Sequence, residues 1–373
     1  MAQERKKRRI VLTSVLKPVD DTRMFEKMGI SLAQSGEYEV FIIAYPSSSD
    51  TSQQGIQFLP LEPFKRLSFK RLMAKWAVFR KLIMLKPAIV IFNTHELILP
   101  CILIKLFMEV KIVYDVRENY YRNILLSESF PWIVRWPLAM VVRFKEKLLA
   151  PAIDHFFLAE KGYENEFRFY RGGWTVIENK AAAMSAVDRL KVPNKIRLLF
   201  SGTLAASTGV FEAIEMAKAL HKLDASVELT VIGYAALPSV REKIETYVKT
   251  NSWIRYTGGH VLVPHSEIEK AIQNADAGII SYPHSDHTIN SHPTKLFEYL
   301  HARLPILLEK QWPWIARFES CKPFITYDAA KPDYAGILTS LKKESFYTES
   351  PSDVTWSSEE PRLLKALESL KKA

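Results

Sequence analysis

Along most of the chain, short runs of β-branched and apolar residues alternate with longer segments whose apolar positions recur at i, i+3 and i+4. In the first half, residues 9–13, 39–44, 88–92, 111–114, 155–158 and 175–177 read as strands. In the second half, residues 197–200, 228–232, 254–257, 277–281, 305–308 and 324–326 do the same. Helical spacing covers 21–35, 210–223, 240–249, 266–274 and 294–303. Alternation of this kind predicts an α/β protein with doubly wound, mostly parallel sheets carrying helices on both faces. Residues 180–194 are Ala-rich, then charged, and have no strand pattern; a polar stretch at 347–358 precedes a last helical segment at 361–372. The expected organisation is a first domain over 1–180, a linker over 181–195 and a second domain over 196–345. A C-terminal segment, 346–373, returns its helix to the first domain. Ligands of such sheets bind beyond the carboxyl ends of the strands, so the residues just after strands are where chemistry is sought.

A length of 373 residues suits two cores better than one. Hydrophobic residues at 48% and charged residues at 25% fit a globular chain. Cys101 and Cys321 match no metal or redox spacing and read as reduced core thiols, which points to the cytoplasm. The basic run Arg5 to Arg9 followed by Ile10-Val11-Leu12 imitates an export signal. Thr13, Ser14, Lys17 and Pro18 break the apolar stretch too early, and the segment reads as a basic tail entering a first strand. The apolar run 97–108 contains Pro100 and Lys105 and is shorter than the ~20 residues that span a bilayer.

The formal net charge is +10, and nearly all of the excess lies in residues 1–180, which points to an anionic surface partner for that half. Residues 64–86 interleave Lys65, Arg66, Lys70, Arg71, Lys75, Arg80 and Lys81 with Phe, Leu, Met and Trp76, and Pro131 to Trp136 adds aromatics. That composition suits a helix lying on an anionic membrane; it equally suits a helix with one core face and one solvated basic face. No nucleic-acid-binding motif accompanies the charge.

Candidate chemistry concentrates in Asn290-Ser291-His292-Pro293-Thr294-Lys295-Leu296-Phe297-Glu298-Tyr299. Pro293 suits the first turn of a helix, with Ser291 or His292 at its cap. A helix amino terminus favours phosphate. Lys295 and Glu298 are three apart and share a face, offering a cation to a diphosphate and an acceptor to ribose hydroxyls. The same pair also fits an exposed ion pair on a surface helix. A second candidate runs from Ser201-Gly202-Thr203 to Gly209, a strand–loop–helix junction whose glycines let the backbone approach a phosphate.

These segments resemble the sugar-nucleotide signature of glycosyltransferase family 4. The resemblance implies the GT-B fold, two facing Rossmann-like doubly wound domains with the active site in the interdomain cleft. Leu229 to Gly233, Ile254 to His260, Pro264 to Ile268 and Asn274 to Gly278 are similar to the family's intervening elements, in the same order. By resemblance Glu298 holds the ribose, Lys295 meets the diphosphate and Asn290 faces the donor sugar. Ser201, Gly202, Thr203, Gly209, Gly233, Ser291, Pro293 and Thr294 line the nucleotide. The family usually has a glutamate at the position of Asn290 and cations at those of Thr203 and Thr208, so Lys295 is left to carry the phosphate charge.

In the first half, Val15 to Phe25 resembles the family's first loop, Asn93-Thr94-His95-Glu96 its histidine loop near the transferred sugar, and Tyr114 to Tyr120 a further site loop. His95 and Lys295 are thereby the catalytic candidates, and Asp21, Arg23, Arg117 and Glu118 the acceptor-side ones. A local alternative makes Asp21 or Thr22 a helix cap with Arg23 exposed. The resemblance implies a retaining hexosyltransferase in cell-surface polysaccharide synthesis. It takes a nucleotide-diphosphate sugar as donor and a glycan or lipid-linked acceptor, needs no metal or other cofactor, and works in the cytoplasm at the inner face of a membrane. The alternatives are a non-catalytic nucleotide-sugar-binding relative and a sugar-nucleotide epimerase of the same fold.

Overall fold

The computed structural model describes residues 7–47, 55–64, 68–126, 131–182, 192–283, 292–343 and 346–372. The chain forms two compact units, Met1–Ala182 with Trp356–Ala373, and Ala183–Thr355.

The first unit is built on a seven-stranded parallel sheet. Its strands are β1 (Arg8–Pro18), β2 (Tyr38–Tyr45), β3 (Ile56–Phe58), β4 (Ile89–Phe92), β5 (Lys111–Val116), β6 (His155–Leu158) and β7 (Gly173–Val176), in the order β3-β2-β1-β4-β5-β6-β7. Its helices are α1 (Ile30–Gln34), α2 (Phe69–Leu85), α3 (Ile98–Leu103), α4 (Tyr120–Leu126) and α5 (Trp132–Leu149), joined by α11 (Glu360–Lys372) from the end of the chain. β4 and β6 are buried along their whole length, as continuous apolar runs in a covered parallel sheet must be. One core, with Val11, Val90, Ile112 and Phe156, lies under α2 and α3; the other, with Leu12, Ile91, Val113 and Phe157, takes Leu363 and Leu367 of α11.

The helix expected over 21–35 forms differently, as a π-helical turn at Arg23–Gly29 running into α1. The wider turn coincides with two inward cations. Arg23 is fully buried against Asp115, and Lys27 donates to Oδ1 of Asn179 at 2.9 Å. β3 escapes the sequence pattern because three residues at a sheet edge are too few to show alternation. The C-terminal return is held by polar contacts inside the unit: Trp356 Nε1 donates to Ser31 Oγ at 2.8 Å, and Lys180 Nζ lies 2.5 Å from Glu359. Residues 346–355 stay with the second unit, where the Tyr347 hydroxyl donates to the Leu304 carbonyl at 2.8 Å, so the return begins at Trp356 rather than 346. Most of the expected linker, 181–195, lies outside the described residues.

The second unit carries a six-stranded parallel sheet, β8 (Ile196–Thr203), β9 (Val227–Tyr234), β10 (Ile254–Gly259), β11 (Ala277–Ile280), β12 (Ile306–Glu309) and β13 (Phe324–Tyr327), in the order β10-β9-β8-β11-β12-β13. Its helices are α6 (Val210–Leu223), α7 (Pro238–Thr250), α8 (His265–Gln273), α9 (Thr294–His301) and α10 (Tyr334–Leu341). In each sheet the strand order reverses once, between β1 and β4 in the first and between β8 and β11 in the second. Crevices at such switch points are where doubly wound sheets bind ligands.

Candidate functional site

In the second unit the switch point is assembled by α9, β8 and the turn after β11. α9 begins at Thr294 with Pro293 just outside it, at the cap position with extended backbone (φ −66°, ψ 142°), rather than in the first turn. Asn290 and Ser291 lie outside the described residues. The helix packs closely because Gly278 of β11 leaves room for the Tyr299 ring; a Cβ there would stand 2.4 Å from it. The Tyr299 hydroxyl then lies 2.9 Å from Ser201 Oγ on β8, so Ser201 is spent on docking the helix.

Lys295 and Glu298 are not an exposed pair. Their relative exposures are 6% and 8%. Lys295 runs over β8 with its ammonium 3.8 Å from the centroid of Phe200 and 5.3 Å from that of Tyr282. Its Cε lies 3.9 Å from where a Cβ on Gly202 would be. Among the described residues the ammonium has no hydrogen-bond partner, an expensive condition for a buried charge. Burial lowers its pKa to about 7, with Glu298 pulling the other way. Glu298 is oriented from α8, where His265 Nε2 lies 3.1 Å from its Oε1, and the other ring nitrogen of His265 lies 3.6 Å from Glu269. Among the described residues the site therefore presents a desolvated cation with no hydrogen-bond partner, near an anchored carboxylate, at the amino end of a helix whose dipole favours anions.

The glycines of this unit serve the backbone. Gly233, next to last in β9, has φ 151°, and a Cβ there would stand 1.7 Å from the carbonyl oxygen of Gly202. Gly209 has φ 78°, and a Cβ would collide with the Ser281 carbonyl at 1.7 Å, while Ser281 Oγ donates to the Gly209 carbonyl at 2.7 Å. These contacts tie the loop after β8 to the turn after β11. Thr203 is exposed at the end of β8. Thr208 is a loop staple: its hydroxyl accepts the Ala205 amide at 3.1 Å and lies 2.8 Å from the Thr203 carbonyl. The space beside Lys295 thus receives no second cation from this loop.

In the first unit, the candidate residues gather at the carboxyl edge of the sheet because β1, β4 and β5 are parallel neighbours. Asp21 accepts a two-pronged contact from Arg117, at 2.6 and 3.1 Å, and also the amides of Arg23 and Met24 at 3.2 and 3.0 Å. Burial pushes the Asp21 carboxyl up, but Arg117, Lys17 and the Met24 amide outweigh it and hold it below its usual range. Arg23, expected on the acceptor side, is turned away from the surface. It is fully buried, with Nη2 and Nε at 2.7 and 2.9 Å from Asp115 and Nη1 donating to the Ile177 carbonyl at 3.0 Å. Nor is it the exposed residue that a simple cap at Asp21 leaves. Glu118 is partly exposed and paired to Lys17 at 3.0 Å.

His95 is mostly buried, edge-on to Tyr120 at 5.0 Å, with Lys145 Nζ 3.0 Å from its Nδ1 and donating to its carbonyl at 2.5 Å. Burial and the nearby cations outweigh Glu96 and lower its pKa to about 4, leaving a neutral imidazole at pH 7. Beside it at the switch point, the side-chain polar atoms of Thr13, Asn93 and Thr94 are buried without a hydrogen-bond partner among the described residues, a cost that functional sites commonly carry. The partners His265, Lys145 and Ser281 are far in sequence from the residues they serve, and no local pattern marks them.

A cavity of about 790 Å³ in the second unit lies at the opposite edge of the sheet, lined by Lys195, Asp276, Arg303, Pro305, Lys342 and Tyr347. Lys342 and Lys195 there are paired with Asp224 and Glu228.

No family model matches the chain, and no curated protein matches its sequence. Among solved structures it is similar to sucrose-phosphate synthase from Thermosynechococcus elongatus, with a TM-score of 0.67 and 13% identity, covering 98% of this chain and 100% of that one. It is similar to Anabaena HepE in complex with UDP and glucose, with a TM-score of 0.66 and 11% identity over 97% and 100% of the two chains. WaaG, a glycosyltransferase involved in lipopolysaccharide biosynthesis, gives 0.62 and 12% over 95% of each. At such identities the likeness is one of fold, and the fold is GT-B: two Rossmann-like α/β domains in one chain.

Proposed function

We propose that the protein is a retaining glycosyltransferase that moves a hexose from a nucleotide-diphosphate sugar to a hydroxyl of a glycan or lipid-linked acceptor, in cell-surface polysaccharide synthesis. The observation that carries this reading is the buried, unpartnered ammonium of Lys295 at the β8/β11 switch point, one helical turn from Glu298. An ammonium without a hydrogen-bond partner, held in a dry site, stabilises negative charge that arrives or develops there. Lys295 neutralises the departing diphosphate, assisted by the amino end of α9. Glu298 accepts hydrogen bonds from the ribose hydroxyls, with His265 holding it in place. Asn290 and the neutral His95 orient the sugar, and Asp21, Arg117 and Glu118 stand on the acceptor side. In this reading the reaction needs no metal, and positioning and charge stabilisation do the catalytic work. The basic segment 64–86 meets an anionic membrane at its cytoplasmic face.

Nucleotide binding is tested first by thermal shift with UDP, GDP, ADP and their sugars, since a specific ligand stabilises by mass action. The similarity to HepE in complex with UDP and glucose makes UDP-glucose the first donor to try. Glu298→Ala is expected to remove both the shift and nucleotide-dependent turnover; full activity in that variant overturns the reading. A shift without sugar transfer or donor hydrolysis favours a non-catalytic binding relative. The absence of cations at Thr203 and Thr208 keeps that second reading in view. Conversion of the sugar without any acceptor identifies an epimerase.

A further inference from the structure

α5 is polarised the wrong way round for a helix on a water-facing surface. Its inward face carries Ala139 and Val142 together with Arg143 and Glu146, all buried. Arg143 is bound inward, 3.2 Å from Glu146 and 3.1 Å from the Asn119 amide oxygen. Its outward face carries Ile133, Trp136, Val141, Phe144 and Leu148, spaced three to five residues apart and each more than 60% exposed. Trp132 at the helix start is 78% exposed. Water offers nothing to a stripe of that kind, and contiguous apolar exposure marks a surface that meets something else.

The surroundings say what that is. α2 and α5 both pack against α3, so the three helices form one layer over the sheet. Phe69, Leu72 and Met73 of α2, and Leu106 and Phe107 after α3, are exposed as well. Cations lie among these apolar side chains: Lys70 and Arg80 on α2 and Lys147 on α5 are all exposed. No Asp or Glu occurs between residues 63 and 95. Two of the acidic groups beside these helices, Glu96 and Glu146, are turned inward into contacts with Arg71 and Arg143; Glu109, after Phe107, is exposed. Protein interfaces are depleted in lysine, whereas tryptophan, bulky apolar side chains and Lys/Arg together are the composition of a helix at a lipid headgroup boundary.

We infer that the outward face of α5, with the exposed residues of α2 and the turn after α3, is a docking surface for an anionic lipid bilayer, with α5 seated in the headgroup region. The basic segment 64–86 alone calls only for attraction to charge; the α5 face adds insertion of apolar side chains. The inference extends the membrane-facing part of the proposed function and does not depend on glycosyl transfer.

The test is flotation of the full-length protein with vesicles of phosphatidylcholine alone and of phosphatidylcholine with phosphatidylglycerol. The wild type is expected to float with the anionic vesicles and much less with the neutral ones. Trp136→Ser with Phe144→Ser should lower binding about tenfold or more, even at low salt. Lys70→Ser with Arg80→Ser should remove the part of binding that added salt also removes. Flotation of both variants like the wild type overturns the inference, as does a wild type that floats with neither vesicle. A wild-type dimer that Trp136→Ser with Phe144→Ser converts to monomer, without vesicle binding, assigns the face to a second copy and also overturns it. The nucleotide thermal shift, measured on every variant, reports folding. Flotation without any such shift in the wild type defeats the glycosyl-transfer reading and leaves this one standing.

Discussion

Oε1 of Glu298 on α9 lies 3.1 Å from Nε2 of His265 on α8, across 33 residues of sequence. The contact leaves the carboxylate aimed by a second helix instead of free to rotate on its own. His265→Ala is expected to weaken nucleotide-sugar binding about tenfold, the usual scale for a hydrogen bond to a charged group, with little change in kcat. His265→Gln should recover part of the loss. Calorimetric Kd values equal to those of the wild type would remove His265 from the site.

Lys295 predicts opposite effects on stability and binding. Its pKa is about 7 in the folded chain against 10.5 for an ordinary lysine. Between those values the unfolded chain holds more protons, so the penalty for burying the ammonium is full below about pH 7 and fades as pH rises through the window. Lys295→Met should therefore be more stable than the wild type at pH 7, by on the order of a few kcal/mol, with the advantage shrinking toward pH 10. The same variant should lose the nucleotide-dependent thermal shift. In the wild type, binding of UDP near pH 7.5 should take up a fraction of a proton, seen as a dependence of calorimetric heat on buffer ionisation enthalpy. A variant that is less stable at pH 7 and still binds nucleotide contradicts both halves.

The Arg23–Asp115 pair is buried to 0% and 1% side-chain exposure. Arg23→Met leaves Asp115 charged and unpaired, and should cost about 3–5 kcal/mol in chemical unfolding. Adding Asp115→Leu should recover most of that, because replacing both members of a buried pair by apolar groups is close to neutral. A double variant as unstable as the single one would assign the cost to packing.

Acid should weaken the first unit through two histidines. Burial lowers the pKa of both His95 and His155 to about 4, against 6.5 for an ordinary histidine. As pH falls from 6.5 to 4 the unfolded chain takes up protons first, so stability is lost across that interval, by at most about 1.4 kcal/mol per pH unit for each histidine. His155→Gln should flatten the dependence, read as the difference in urea midpoint between pH 7 and pH 5. An unchanged slope would mean that His155 is charged in the folded protein.

The periodicity of the chain by itself determined the parallel α/β class. All twelve expected strands have counterparts, because strands buried on both faces must be continuous apolar runs and their helices must show a 3.6-residue stripe. Lys295 and Glu298 were legible for the same reason: three residues apart on one helix, they necessarily share a face. What these residues meet was decided only by the tertiary structure. Whether Lys295 is exposed or desolvated depends on Phe200 and Tyr282, which other strands bring to it. Arg23 reads as a surface cation until Asp115, 92 residues away, is brought alongside it. The outward stripe of α5 has the spacing of a core helix. Only the packed fold shows that Arg143 and Glu146 face inward and the tryptophans outward, since periodicity states that a helix has two faces and not which one is covered.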